Sequence, residues 1–390
     1  MAKSVSISRL MLAGISCLSP FGVSVMAPLI PLLADSLTGD VTELQYLISA
    51  YVLGLALTQP IVGLLSDHWG RRPVLLCGFA VFVMSSLALI TASSLELMIV
   101  LRFFQAMGVS VGTVVARGIV RDVLPAQEAL KAFALISAAM GFSPIVAPVM
   151  AGVLGAEFGV DSVYWLLAIF GLTLWLWCFW TVPETREVNN DSRLSLALKG
   201  YRVVLGNLRF WGFASAYGCL QGLFFAFLGV GATLFLQRFG IGVTGFSVIW
   251  SALAGVYILG SIALNRLPIF GEEGIQRGAV HALLLLSVAA PCWVYWQGLT
   301  LWTLLTPLVC LMFISGLLTP LAMLGAVNVD PEWSGTAAGL SSAIGMAAAA
   351  LFTFIGARVY AVLPEGLMWV VGASGLGVWI CWQLAHKGEK

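Results

Sequence analysis

Charge is scarce in this sequence. Only 9% of its 390 residues are Asp, Glu, Lys or Arg, 60% are apolar, and the mean hydropathy is +1.00. A soluble domain carries about 25% charged residues, so a chain this poor in charge cannot keep its surface wet and must show most of it to lipid. The formal net charge of +1 excludes the broad basic field that would suggest nucleic acid as a partner. Cysteine patterning is equally sparse. Cys17, Cys77, Cys178, Cys219, Cys292, Cys310 and Cys381 all sit in apolar runs, and none forms a C-x-x-C pair. His68, His281 and His386 are scattered. Neither a disulfide framework nor a metal site finds support, and no cofactor is implied. A G-x-x-x-x-G-K-[ST] phosphate loop is missing, which argues against ATP-driven pumping by this chain alone. No nucleophile, base or metal cluster lies at depth, so the sequence does not read as an enzyme.

What the chain has in abundance is apolar runs. Lys3 and Arg9 precede a run from Leu10 to Leu33, too long for the apolar region of a signal peptide, so it reads as a retained first membrane helix. A crossing helix needs about 20 apolar residues. That ruler predicts twelve, at 10–34, 44–65, 74–92, 97–116, 132–155, 162–182, 210–236, 246–264, 279–296, 299–324, 334–357 and 366–385. Of the 19 basic residues, 16 then fall on the side of the two termini, Arg238 and Arg358 on the other, and Arg102 within a helix. The asymmetry survives to the C-terminus and predicts both ends in the cytoplasm. The longest polar stretch divides the helices six and six, giving an N-terminal bundle at 1–183, a cytoplasmic linker at 184–209 and a C-terminal bundle at 210–390. The expected fold is all-α: twelve transmembrane helices in two six-helix bundles, an arrangement in which a central cavity opens alternately to either side. Repetition at the residue level is weak.

The sharpest local pattern is GLLSDHWGRRP, Gly63 to Pro73, between the second and third helices. Gly63 removes a side chain where a neighbouring helix could approach, and Asp67, Arg71 and Arg72 can form a charge cluster with a helix end. Taken by itself it is also a polar turn that obeys the positive-inside rule. Its spacing, with Gly70 included, resembles the signature loop of the major facilitator superfamily, which implies a gating role. LRFFQAMGVSVG (101–112) resembles that superfamily's fourth-helix motif, and GFSPIVAPVMAG (141–152) the fifth-helix proline-glycine motif of drug antiporters. ARGIVRD (116–122) and SGTAAGL (334–340) look like the bicyclomycin and chloramphenicol resistance subfamily of drug:proton antiporters. The resemblance implies secondary export of small organic molecules from a bacterial-type inner membrane, coupled to protons, by a monomer.

Several residues are candidates for substrate contact or coupling. Arg102 lies at depth, where a charge costs at least about 2.5–3.5 kcal/mol and usually faces a cavity with partners. It either snorkels outward or lines the cavity, with Gln105 one turn on. Gln59, Tyr217 and Gln221 are further polar groups inside helices, with Tyr46, Tyr51, Trp250 and Tyr257 as weaker aromatic candidates. Gly141, Pro144, Pro148 and Gly152 in the fifth helix allow either ordinary close packing or a tight seal on one face of the cavity. One departure from the resembled subfamily stands out. Where an acidic residue is usual in the first helix this chain has Ser24, within GVSVMAP, and no Asp or Glu occurs in any helix interior. With Arg102 as the one deep charge, the expected cargo is neutral or anionic rather than a permanent cation. The alternative is dedicated export of one endogenous anionic metabolite, such as a carboxylate siderophore.

Overall fold

The computed structural model describes residues 8–34, 41–185, 193–264 and 272–387. Among these residues twelve helices are long and apolar enough to cross a bilayer. They are Arg9–Ala34, Tyr46–Ser66, Arg71–Thr91, Leu95–Val123, Lys131–Phe158, Val160–Thr181, Leu208–Phe239, Val243–Ala263, Gln276–Gln297, Leu301–Val327, Ser334–Val362 and Gly366–His386, here spans 1 to 12. The shortest has 21 residues, about 31 Å of helix, which matches a hydrocarbon core of about 30 Å. A further helix, Arg193–Leu205, lies between spans 6 and 7. Most helix ends fall within a few residues of expectation, but the helices of spans 5 and 9 start earlier, at Ala126 and Glu272, span 11 runs on to Val362, and span 4 continues past Ala116 to Val123. The apolar ruler stops at Arg117 because it is charged, yet the backbone keeps its helical hydrogen bonds for two more turns.

Proline shapes span 1. Pro28 and Pro31 have no N–H to close on the carbonyls of Ser24 and Ala27, and the helix is interrupted at Val25. Pro20 likewise leaves the Ser16 carbonyl without its helical donor, and the Thr113 hydroxyl of span 4 donates to it at 3.4 Å.

The packing repeats where the residues do not. Spans 2 and 4, 1 and 5, and 3 and 6 pack in the first half, and spans 8 and 10, 7 and 11, and 9 and 12 in the second, each pair offset by six. The crossings match in detail. A Cβ at Gly54 of span 2 would run into the Phe103 carbonyl of span 4, and one at Gly260 of span 8 into the Phe313 carbonyl of span 10. Small residues let backbones meet where lipid supplies no hydrophobic drive. Large apolar side chains point outward all round, and Trp180, Trp296 and Trp302 stand exposed at span ends, as a membrane-interface belt requires.

The bundles meet along spans 2 and 11 and along spans 5 and 8, and span 7 packs on the second half of span 1. The end of the molecule that carries residues 9 and 386 is termed the inner end, and the opposite one the outer end.

Candidate functional site

Between the bundles, at the inner end, lies a cavity of about 430 Å³. Its walls come from span 2 (Gln59, Pro60, Gly63), span 4 (Thr113, Arg117, Gly118, Arg121, Asp122), the start of span 3 (Arg71), the Arg193–Leu205 helix (Tyr201) and span 11 (Thr336, Gly339, Ser342). Across it the Ser342 hydroxyl donates to Gln59 Oε1 at 2.7 Å, joining the two bundles. The Tyr201 hydroxyl donates to the Pro60 carbonyl at 3.4 Å, and burial pushes that phenol above its ordinary pKa, so it stays a neutral donor.

One edge of this cavity is the Gly63–Pro73 loop. Gly70 takes φ +97° and caps span 3, a left-handed conformation that favours glycine. The Glu184 carboxylate, from the end of span 6, accepts from the backbone N–H of Arg71 at 2.9 Å and of Arg72 at 3.2 Å. A remote carboxylate thus fills the place of an N-cap, where free N–H groups and the helix dipole favour an anion. The Arg71 guanidinium donates to Asp122 at 3.0 Å and to Ser66 at 2.6 Å, tying spans 2, 3 and 4 together. Gly118 leaves room for it, since a Cβ there would touch that guanidinium at 2.6 Å. Arg72 reaches the Phe179 carbonyl at 2.9 Å. Gly63 does not serve the close helix approach expected of it: a Cβ there would lie 4.0 Å from Val114, an ordinary contact. The side chain of Asp67 lies outside the described residues.

Arg102 and Gln105 are elsewhere. Both are completely buried within the first bundle, away from the inner cavity. Arg102 donates to Gln105 Oε1 and, at 2.8 Å, to the Gly22 carbonyl, and its guanidinium lies 4.2 Å from the Tyr51 ring centroid. Gln105 in turn donates to Ser86 at 2.7 Å. Spans 1, 2, 3 and 4 are thereby joined by one cation that does not snorkel and has no carboxylate within 4 Å among the described residues. Ser24 is buried nearby in sequence, just before the break in span 1.

In the second bundle, Tyr217, Gln221 and Phe224 fall on one stripe of span 7 and are only partly buried, while most of that span is fully enclosed. Tyr217 lies against Gly345 of span 11 and within electrostatic reach of Arg117 across the cleft. In span 5, Pro144 and Pro148 flank Ile145, whose carbonyl accepts from Ser251 of span 8. Gly152 lets Ser247 of span 8 come close, whereas a Cβ at Gly141 would meet only Ile258, at 3.8 Å. The cavity residues Arg117, Arg121, Tyr201, Thr336 and Ser342 are not among the sequence's site candidates, although Arg117, Arg121 and Thr336 fall within the ARGIVRD and SGTAAGL motifs. Arg117 and Arg121 look like loop charges when span 4 is ended at its last apolar residue, and hydroxyl residues carry no signal of their own.

At the outer end the cleft is covered. The Tyr46 and Phe354 rings stack at 5.4 Å, and Arg358 lies 5.7 Å from the centroid of each.

A family profile described as Major Facilitator Superfamily matches residues 12–381. Multidrug resistance protein D of Escherichia coli K12 is 28% identical over 97% of both chains. The chloramphenicol resistance protein of Pseudomonas aeruginosa is 25% identical over 94% of this chain and 87% of its own. Among solved structures, a bacterial homologue of the human lysosomal transporter Spinster, inward-facing and unoccupied, superposes with a TM-score of 0.76 at 14% identity, covering 100% of this chain and 97% of its own. The D-xylose-proton symporter gives 0.75 at 13% identity over 96% and 97%. With twelve spans in two six-helix bundles and a family match along nearly its whole length, the chain belongs to the major facilitator superfamily.

Proposed function

We propose that this protein is a secondary active exporter of small organic molecules, coupled to protons, in which two bundles (1–183 and 210–390, joined by 184–209) rock about a substrate held between them. The observation that carries the reading is the cleft itself. It holds a cavity of about 430 Å³ lined by both bundles at the inner end, while the outer end is covered by Tyr46, Phe354 and Arg358. A cavity of this size suits a small ligand. The drug-resistance names of its relatives support export. The basic asymmetry supports both termini in the cytoplasm, the bacterial relatives support a bacterial-type inner membrane, and the proposed working unit is a monomer. The inner end is then cytoplasmic and the structure faces the cytoplasm. Every Asp and Glu inside a described span lies near a span end, at Glu96, Asp122, Glu157 and Asp161. Among these, Asp122 lines the cavity, where it is paired with Arg71.

The test is flux in liposomes. Purified protein should move chloramphenicol saturably, with a rate set by an imposed pH gradient and abolished when the gradient is collapsed. Flux linear in concentration and indifferent to the gradient would point to a channel or a leak. Export of one endogenous anion is a second reading, favoured by the arginines of the cavity.

A further inference from the structure

Two arginines in the cavity lack an anionic partner among the described residues. Arg117 sits six residues before the end of span 4 at Val123, about 9 Å inward along the helix. Its neighbours Ala116 and Gly118 are buried, but Arg117 is exposed to the cavity. Among the described residues its guanidinium donates to Met140 Sδ at 3.9 Å, and the Tyr217 phenol lies within its electrostatic reach. Arg121, one turn nearer the inner end of the span, reaches toward Gly335 of the opposite bundle, where a Cβ would lie 3.8 Å from its Nη1. Neither has a carboxylate within 4 Å among the described residues, whereas Arg71 is paired with Asp122. Three arginines and one aspartate line the space, so two positive charges remain unbalanced in a cleft with low-dielectric walls. Such a cleft concentrates anions and repels cations. An unpaired charge at this depth is costly, and a guest carboxylate relieves that cost for guest and host together. Arg102, completely enclosed and bonded within one bundle, cannot serve this purpose.

We infer that the transported molecule is an organic anion whose acidic group is bound between Arg117 and Arg121, with the Thr336 hydroxyl of span 11 completing the cradle. Arg117 and Arg121 are carried on the first bundle, and Thr336 on the second. An anion between them therefore contacts both moving bodies, and only a bound one neutralises their facing surfaces. This assignment rests on the transporter reading above and names the substrate class for it.

The cavity's preference can be read without knowing the natural substrate. Gly339 lines the cavity, and a Cβ there meets no atom within 4 Å. A Gly339→Cys reporter in a background without the seven native cysteines should react faster with an anionic thiol reagent (sulfonatoethyl methanethiosulfonate) than with its trimethylammonium counterpart. Adding Arg117→Gln and Arg121→Gln should lower the anion-to-cation rate ratio by about tenfold or more, and Arg117→Lys should keep most of it. An unchanged ratio overturns the proposal. In liposomes, Arg117→Gln should reduce salicylate flux by about tenfold more than it reduces chloramphenicol flux, with Arg117→Lys restoring part of the difference. Wild-type flux of chloramphenicol but none of salicylate would overturn the anion assignment and leave the transporter reading standing. Absence of gradient-driven flux for both would remove the two together.

Discussion

A guanidinium held in a membrane without a carboxylate needs other compensation, and Arg102 has it. Insertion of such a charge costs about 2.5–3.5 kcal/mol. A hydrogen bond to a charged group contributes about 1.5–3 kcal/mol, and a desolvated cation–π contact about 2 kcal/mol. Two of the first kind, to Gly22 and Gln105, and one of the second, with Tyr51, offset the burial. Arg102 is then a tie among spans 1 to 4. Arg102→Leu should strand the Gln105 carboxamide oxygen and lower the midpoint of thermal unfolding in detergent, by the equivalent of about 2–4 kcal/mol, while leaving KM for transport near its original value. A normal melting curve with a raised KM would instead put Arg102 on the substrate path. The charge itself is legible in the sequence, because one arginine in an apolar run stands out. Its partners are not: Gly22 contributes only a carbonyl, and Tyr51 is one of 8 tyrosines. Arg117 shows the reverse failure, since a charge at the end of an apolar run looks like a loop residue until the helix is seen to continue.

At the scale of helices, length and hydropathy alone place all twelve spans, because a membrane helix must satisfy its backbone internally and hide it in about 20 apolar side chains. Crossing points are not legible. The chain has 42 glycines, and only contact with a neighbouring backbone separates those that matter from those that do not. Gly316 is one that matters. A Cβ there would overlap the Tyr257 carbonyl, a rigid neighbour, and Gly260 makes the reciprocal approach to Phe313. Gly316→Ala should therefore push spans 8 and 10 apart and destabilise the protein by about 1–3 kcal/mol. Gly141→Ala, with 3.8 Å to the flexible end of Ile258, should be neutral or stabilising by up to about 1 kcal/mol through helix propensity. Melting curves of the two variants, side by side, check the contrast. Equal loss in both would mean that close backbone approach is not what discriminates among these glycines.

For the whole molecule, the division into six and six is readable from the polar stretch at 184–209, and the packing pairs repeat with that offset. The shape of the cleft is not readable, because it depends on which faces of spans 2, 5, 8 and 11 touch. Among the described residues the polar and ring contacts across it are of a kind that can be exchanged: one hydroxyl to a carboxamide at Ser342 and Gln59, one hydroxyl to a carbonyl at Ser251 and Ile145, and the Tyr46 ring against Phe354 and Arg358. The first bundle is internally cross-linked by Arg102 and by the Arg71, Asp122 and Glu184 cluster, so motion is expected between the bundles rather than within the first of them. The central claim is that the cleft opens at one end as it closes at the other. Spin labels at Val123→Cys and Asn328→Cys report the inner ends of spans 4 and 10, and labels at Glu96→Cys and Trp302→Cys the outer ends. In a background lacking the native cysteines, pulsed electron–electron distance measurements on both pairs should give two populations each. Changing pH or adding substrate should shift them in opposite directions, the inner distance falling as the outer one rises. A single distance at each pair, unmoved by pH and substrate in protein that still transports, would contradict alternating access through this cleft.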